Sequence, residues 1–313
     1  MSVLVWGVPS ESPVQLLLNA LARRGADPLV IHPRRFADQR VDLSLRDGQL
    51  GGFAAVEGRT IDLTSLSGVY VRPLEPELLP ELAGTAPGDP ARIRAQQVYA
   101  ALTAFTEAAP TALGCRVANR LSSMASNMSK PYQAQCIRRH GFDTPETLLT
   151  DDPHEAAQFL GDHPGAIFKS ASGVRSIVRE FDPSADAQRL SRIRWCPVQF
   201  QENVRGRDVR VHVVGQETYA AIVDSTATDY RYARSQVGRD PELAPYPLPD
   251  DIAARCVELA GDFDLPFAGV DLKLADDGRV VCFEVNPSPG YSWYETAAGL
   301  PIADALARWL SAA

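Results

Sequence analysis

Residues 269–290, GVDLKLADDGRVVCFEVNPSPG, constrain the fold more than any other stretch of the chain. Two strand-forming runs flank Asp277-Gly278, a dipeptide suited to a two-residue hairpin turn because both positions tolerate positive φ. Counting outward pairs Asp276 with Arg279 and Ala275 with Val280, and sets Asp271 opposite Glu284. Strand side chains alternate with a period of two, so Asn286 falls one step further along the same face. The other face collects Val270, Leu272, Val281, Phe283 and Val285, which predicts a sheet buried on that side. Carboxylates directly opposed, with Cβ atoms about 4.5–5.5 Å apart, repel unless a cation lies between them. Two carboxylates and an amide oxygen form a hard oxygen site, suited to Mg2+ that also holds phosphate oxygens. The competing reading is a solvated hairpin with incidental acids, and the apolar opposite face counts against it. Pro287, Pro289 and Gly290 end the pairing.

The rest of the chain alternates strands and helices, which predicts an α/β (α+β) protein. VLVW and PLVIH read as strands around a helix that starts at Ser12-Pro13 and stops before Gly25. A hairpin turning at Asp47-Gly48, the strand GVYVRP and a long amphipathic helix follow, and the pattern changes near GCRVANR. A helix closed by Gly141, the strand TPETLLT and a helix capped by Asp152 lead to GAIFKSASGVRSIVREF, which reads strand, loop, strand. Beyond about residue 196 strands dominate, interrupted by a helix near residues 252–263 and closed by one over 302–310. Residues 225–250 read as irregular, and loops of that length are usually lids or binding loops. A chain of 313 residues suggests two domains or three small ones.

The net charge of −8 disfavours nonspecific binding to nucleic acid or to an anionic membrane. No window approaches the ~18 apolar residues of a membrane span, and MSVLVWGVPSES lacks the basic start of a signal peptide. The five cysteines are scattered and odd in number, which fits a reduced, cytoplasmic protein without a zinc site.

Other groups are ambiguous singly. Lys169 ends a strand before the small-residue loop SASGVRS, where backbone N–H groups can approach phosphate; a surface lysine before a turn is the plainer reading. Asp208, Arg210 and His212 share one strand face, with Val209, Val211 and Val213 on the other. The acid and arginine fit a site or a plain ion pair, and His212 reads as a supporting side chain. Tyr230 and Arg231 sit in an aromatic, basic stretch that suits an anion-binding lid or a solvated loop, and Arg72 at a strand end is equally open. A nucleophile elbow, a Walker phosphate loop and a GxGxxG fingerprint are all absent from the sequence.

Together these stretches resemble the ATP-grasp ligases, nearest the RimK-type and graspetide-synthetase branch, over residues 119–295. The most specific likeness is GVDLK…CFEVNPSPG; QENVRGRDVRVHVVG resembles the superfamily's nucleotide hinge strand, and SKPYQAQCIRRHG and VYVRP are similar to graspetide synthetases. The resemblance implies a three-domain architecture: an N-terminal α/β domain over 1–118, a central subdomain over 119–195 and a C-terminal subdomain over 196–313. It implies ATP with Mg2+, or Mn2+, as cofactors. Lys130 and Lys169 would contact the phosphates, with Ser172, Gly173 and Val174 closing over them. Gln201, Glu202 and Val204 would meet adenine, mostly through backbone, and Asp208 the ribose. Asp271, Glu284 and Asn286 would hold the metal, while Arg210 and Arg231 would steady the transferred phosphate. The implied reaction joins a carboxylate to an amine through an acyl phosphate, on an amino acid, small acid or peptide. Side-chain cross-linking of a ribosomal peptide, and an ATP binder without catalysis, are the alternatives. Many such ligases pair up, so a homodimer is a further expectation. SASGVRS is poorer in glycine than the family norm, and Ser-Pro-Gly after the asparagine is a RimK-type ending, so the chain stands between the two branches.

Overall fold

Short apolar runs at the N-terminus pair as parallel strands because helices return the chain in the same direction. The computed structural model describes residues 2–170, 178–225, 230 and 233–312. β1 (Ser2–Gly7) leads through α1 (Ser12–Arg23) to β2 (Leu29–Ile31). β3 (Gln39–Arg46) and β4 (Gln49–Val56) form a hairpin with Asp47 and Gly48 both at positive φ, and β5 (Arg59–Asp62) extends it. β6 (Leu66–Arg72), α2 (Pro90–Leu113) and β7 (Arg116–Ala118) complete a parallel sheet of order β2-β1-β6-β7.

Past α3 (Leu121–Met124) comes α4 (Lys130–Arg139), capped where Ser129 Oγ accepts the Tyr132 N–H. β8 (Thr147–Thr150), α5 (Pro153–Asp162), β9 (Ile167–Ser170), β10 (Arg179–Glu180), α6 (Pro183–Leu190) and β11 (Val198–Gln201) follow. Their sheet has the order β10-β9-β11-β8. α6 is not among the helices expected from sequence, although Asp182-Pro183 repeats the start signal of Asp152-Pro153 at α5: each aspartate accepts the N–H two residues on.

The remaining elements are β12 (Gly206–Val214), β13 (Glu217–Asp224), α7 (Ala233–Val237), β14 (Glu242–Pro245), α8 (Asp250–Asp262), β15 (Phe267–Ala275), β16 (Val280–Asn286), α9 (Ser292–Ala298) and α10 (Ile302–Ser311). The strands form an antiparallel sheet, β14-β13-β12-β15-β16. One face buries Val209, Val211, Val213, Val270, Leu272, Cys282 and Val285 against Ile252, Cys256 and Leu259 of α8 and Cys136 and Ile137 of α4. Each such aliphatic side chain contributes about 1.5–3 kcal/mol by leaving water. α10 packs Leu306 and Leu310 into the core that holds Val3, Val5 and Leu17. Among the described residues no helix is long and apolar enough to cross a membrane.

Two expectations change. The segment 225–250 contains α7 and β14, and β14 is the edge strand against β13; Pro245 is tolerated there because an edge strand can lack a donor. The β15–β16 turn holds three residues rather than two. The Ala275 N–H donates to Arg279 O at 2.9 Å and the Gly278 N–H to Ala275 O at 3.0 Å, with Gly278 at φ 89°. This slips the register by one, to Leu274↔Val280, and an irregularity beyond Leu272↔Cys282 slips it back to Asp271↔Glu284. The bulge keeps Cys282 and Val285 on one buried face, so Cys282 takes the place expected of Phe283.

Candidate functional site

The second face of the five-stranded sheet is a grid. In one row Arg210 on β12, Asp271 on β15 and Glu284 on β16 are register partners. The next row is His212, Gly269 and Asn286. On the opposite side Asp208 partners Lys273, whose ammonium lies 3.3 Å from its carboxylate. Alternation along β12 and the paired register of β15 and β16 together aim these polar groups away from the valine core.

Each of the opposed carboxylates has a cation of the protein beside it. Arg210 NH1 lies 2.6 Å from Asp271 Oδ1, and Lys130 Nζ lies 2.6 Å from Glu284 Oε2. Lys130 reaches across because it starts α4, which packs on β16. Arg210 is 5% exposed, and its Nε lacks an acceptor among the described residues. Burial pulls the guanidinium's pKa down, but the Asp271 charge and hydrogen bond, with Tyr294 and Tyr230, together outweigh this, so the net shift is upward. Gly269 makes the arrangement possible, since a Cβ there would stand 2.1 Å from Arg210 NH2. Asn286 Oδ1 accepts the Ser288 N–H at 2.9 Å, which orients the amide.

An aromatic wall borders Arg210. The Tyr294 ring centroid lies 5.8 Å from Arg210 Cζ and 5.0 Å from the His212 ring, and its hydroxyl is 3.0 Å from that of Tyr230. Trp293 stacks on Tyr230 at 6.3 Å and is 39% exposed. Burial, then the Arg210 charge, holds His212 well below its ordinary pKa, so the ring is neutral and supports Tyr294. Burial, then Asp271, pushes the Tyr230 hydroxyl up. Trp293 and Tyr294 belong to α9, a helix too short for its periodicity to register in the sequence.

The expected nucleotide contacts lie along the junction with the β8–β11 sheet. Lys169 stands on β9 opposite Gln199. Gln201 is buried, and its Nε2 donates to Thr147 Oγ1 at 3.0 Å. Glu202 pairs with Arg279 at 2.6 Å, its N–H donates to Glu146 O at 2.8 Å, and Val204 is buried. The Gln201 and Glu202 side chains are therefore engaged within the protein. The hydrogen bond from Arg279 lowers the Glu202 pKa. Arg279 and Gly269 were not singled out from sequence; only pairing across distant segments reveals them. Ser172, Gly173, Val174 and Arg231 lie outside the described residues.

The profile of the RimK-like ATP-grasp domain matches residues 128–310. The chain belongs to the RimK-like ATP-grasp family. It is an ATP-dependent, ADP-forming ligase. A probable alpha-L-glutamate ligase of Citrobacter koseri is 27% identical over 208 residues, 63% of this chain and 68% of that protein. The ribosomal protein bS6–L-glutamate ligase of Shigella flexneri is 27% identical over 207 residues, with the same 63% and 68% coverage. Among solved structures, the ATP-grasp ligase PsnB, complexed with a phosphomimetic variant of its minimal precursor, Mg and ADP, aligns over 99% of this chain and 97% of that one. Its TM-score is 0.76 and its identity 26%. The macrocyclase MdnC of Microcystis aeruginosa, bound with precursor peptide MdnA, aligns over 99% of both chains at TM-score 0.74 and 21% identity, a likeness of fold.

Proposed function

We propose that this RimK-like chain activates a carboxylate of a peptide as an acyl phosphate and transfers it to an amine, or to a hydroxyl. The row Arg210–Asp271–Glu284, with Lys130 and Asn286 beside it, carries the reading. Asp271, Glu284 and Asn286 offer two carboxylates and an amide oxygen on one sheet face, a donor set that fits Mg2+. When bound, the ion would neutralise ATP phosphate oxygens and orient them. Lys130 and Lys169 would hold phosphate oxygens, with Ser172, Gly173 and Val174 closing over them. Asp208 would hold the ribose, and Gln201, Glu202 and Val204 would border the adenine.

A carboxylate oxygen attacks the γ-phosphorus, the bond to the β-phosphate oxygen breaks and ADP leaves. Arg210, fixed on Asp271 and flanked by Tyr294, would offset the charge on the transferred phosphoryl group, with Arg231 as a second cation. The nucleophile then attacks the acyl carbon, loses its proton, and phosphate departs. The aromatic wall would exclude water, which otherwise hydrolyses the acyl phosphate.

Whole-chain likeness to a ligase complexed with its precursor favours a peptide substrate, and side-chain cross-linking of that peptide is one form of the same chemistry. The glutamate ligase relatives favour a second form, addition of an amino acid to a peptide or protein. The proposed division at about residue 118 stands, and the second, expected at 195/196, is drawn after Gln201 instead because β11 pairs with β8 and β9. A homodimer in the cytoplasm remains part of the proposal.

The test incubates the protein with MgATP and synthetic peptides encoded beside its gene, following ADP release and peptide mass. Loss of 18 Da per bond marks cross-linking and a residue-mass gain marks addition. ADP release that no peptide or amino acid stimulates would sink the peptide assignment. Mg-dependent turnover surviving in both Asp271→Asn and Glu284→Gln would sink the metal assignment.

A further inference from the structure

Among the described residues β16 is the last strand of its sheet, so the outward N–H and C=O groups of the strand bearing Glu284 and Asn286 have no described strand beyond them. Near the turn the backbone of Asp143 serves this edge: its N–H donates to Val280 O at 3.0 Å, and the Cys282 N–H donates to its carbonyl at 2.8 Å. Further along, side chains from three distant segments take over. Gln133 Nε2 donates to Val285 O at 2.8 Å, and the Val285 N–H donates to Gln133 Oε1 at 3.3 Å. Asn119 Nδ2 donates to Pro287 O at 2.6 Å and also to Phe267 O, while Oδ1 accepts the Phe267 N–H at 3.1 Å. Arg72, whose Nε is held by Glu11 at 2.7 Å, donates through NH1 to Ser288 Oγ at 2.9 Å and Ser288 O at 3.2 Å. Ser288 in turn orients the Asn286 amide. Gln133 and Asn119 are each 1% exposed.

These contacts fall on Val285, Pro287 and Ser288, the residues that alternate with or follow Glu284 and Asn286. A slip or twist of this edge would rotate both oxygen donors off the face they share with Asp271. We propose that Gln133, Asn119 and Arg72 are positioning residues that hold β16 in register for the metal. They couple α4, the segment after β7 and the C-terminal end of β6 to one strand. Arg72 thereby links the N-terminal sheet to the site. The proposal rests on the metal reading given above.

The test is Mn2+ titration of the full chain in saturating ADP, followed by electron paramagnetic resonance, beside thermal unfolding. Gln133→Glu keeps the acceptor for the Val285 N–H but turns the donor to Val285 O into a second acceptor. Arg72→Lys keeps a charge for Glu11 but loses the forked reach to Ser288. Outer partners of metal ligands typically change affinity about 10–100-fold. The expected result is Mn2+ affinity at least about tenfold weaker in Gln133→Glu. KM for ATP at saturating Mg2+ should stay near the unsubstituted value. A lowered Tm with unchanged Mn2+ affinity would show edge cover alone and overturn the proposal. If Gln133→Glu does not fold, Arg72→Lys decides by the same criterion. Unchanged Mn2+ binding in Glu284→Gln and Asp271→Asn would instead be a failure of the metal reading.

Discussion

Gly269→Ala adds one methyl group where the structure has no room for it. The three atoms nearest the added Cβ all belong to the Arg210 guanidinium, at 2.1, 2.5 and 2.9 Å. Ordinary contact needs roughly 3.5 Å, so the guanidinium must retreat by more than about 1 Å. Its 2.6 Å bond to Asp271 cannot survive that movement. Losing a charge-assisted bond in a buried setting costs about 1.5–3 kcal/mol, or roughly 2–5 °C in Tm for a chain of this size. Catalysis should fall further, since a displacement of about 1 Å at a reacting centre costs about 100-fold. Thermal unfolding and ADP release with the acceptor peptide measure the two effects. A double-mutant cycle gives the decisive comparison. In an Arg210→Ala background the obstructing atoms are gone, and Gly269→Ala should become neutral or stabilise by about 0.4–1 kcal/mol through the unfolded chain. If Gly269→Ala destabilises both backgrounds equally, the glycine does not act through Arg210 and the reasoning fails.

Gly206→Ala should be far more damaging, because φ is 146° and the Cβ would stand 2.2 Å from the backbone carbonyl of Leu274, which cannot swing aside; a drop of more than about 3 kcal/mol in denaturant unfolding checks this. Arg279→Ala removes a partly exposed ion pair with Glu202, so its stability cost should be no more than about 1 kcal/mol. KM for ATP should rise several-fold with kcat nearly unchanged, because Glu202 lies at the sheet junction. Burial raises the Glu295 pKa, while its Oε2 accepts the Ala303 N–H at 2.7 Å. A raised folded pKa means that the protonated form is favoured, so its stabilising contribution is present at low pH and lost as pH rises through that pKa. Glu295→Gln should therefore match the parent in Tm below about pH 4.5 and exceed it at neutral pH.

Much of the site was legible because a strand repeats every two residues. The period alone put Asp208, Arg210 and His212 on one face and the valines on the other. Asp271 opposite Glu284 was also reached by counting, although the route was wrong in detail. The three-residue turn shifts the register, and the bulge near Phe283 shifts it back. A bulge has no reliable sequence signal, because it depends on which side chains the opposing core accepts, here Cys282 rather than Phe283. α6 carried the same Asp-Pro start as α5 and was readable in principle. β14 was not, since four residues ending in proline become a strand only when β13 offers them an edge.

The sequence by itself determined the local chemistry: which residues carry charge, which face each shares with its neighbours, where helices start, and the family likeness of residues 119–295. Those properties depend on separations of a few residues. Only the tertiary structure decided which cation meets which carboxylate. Lys130 reaches Glu284 across 154 positions, Arg72 reaches Ser288 across 216, and Gln133 reaches Val285 across 152. Such pairings follow from how sheets and helices pack, and packing is a property of the whole buried surface rather than of any segment.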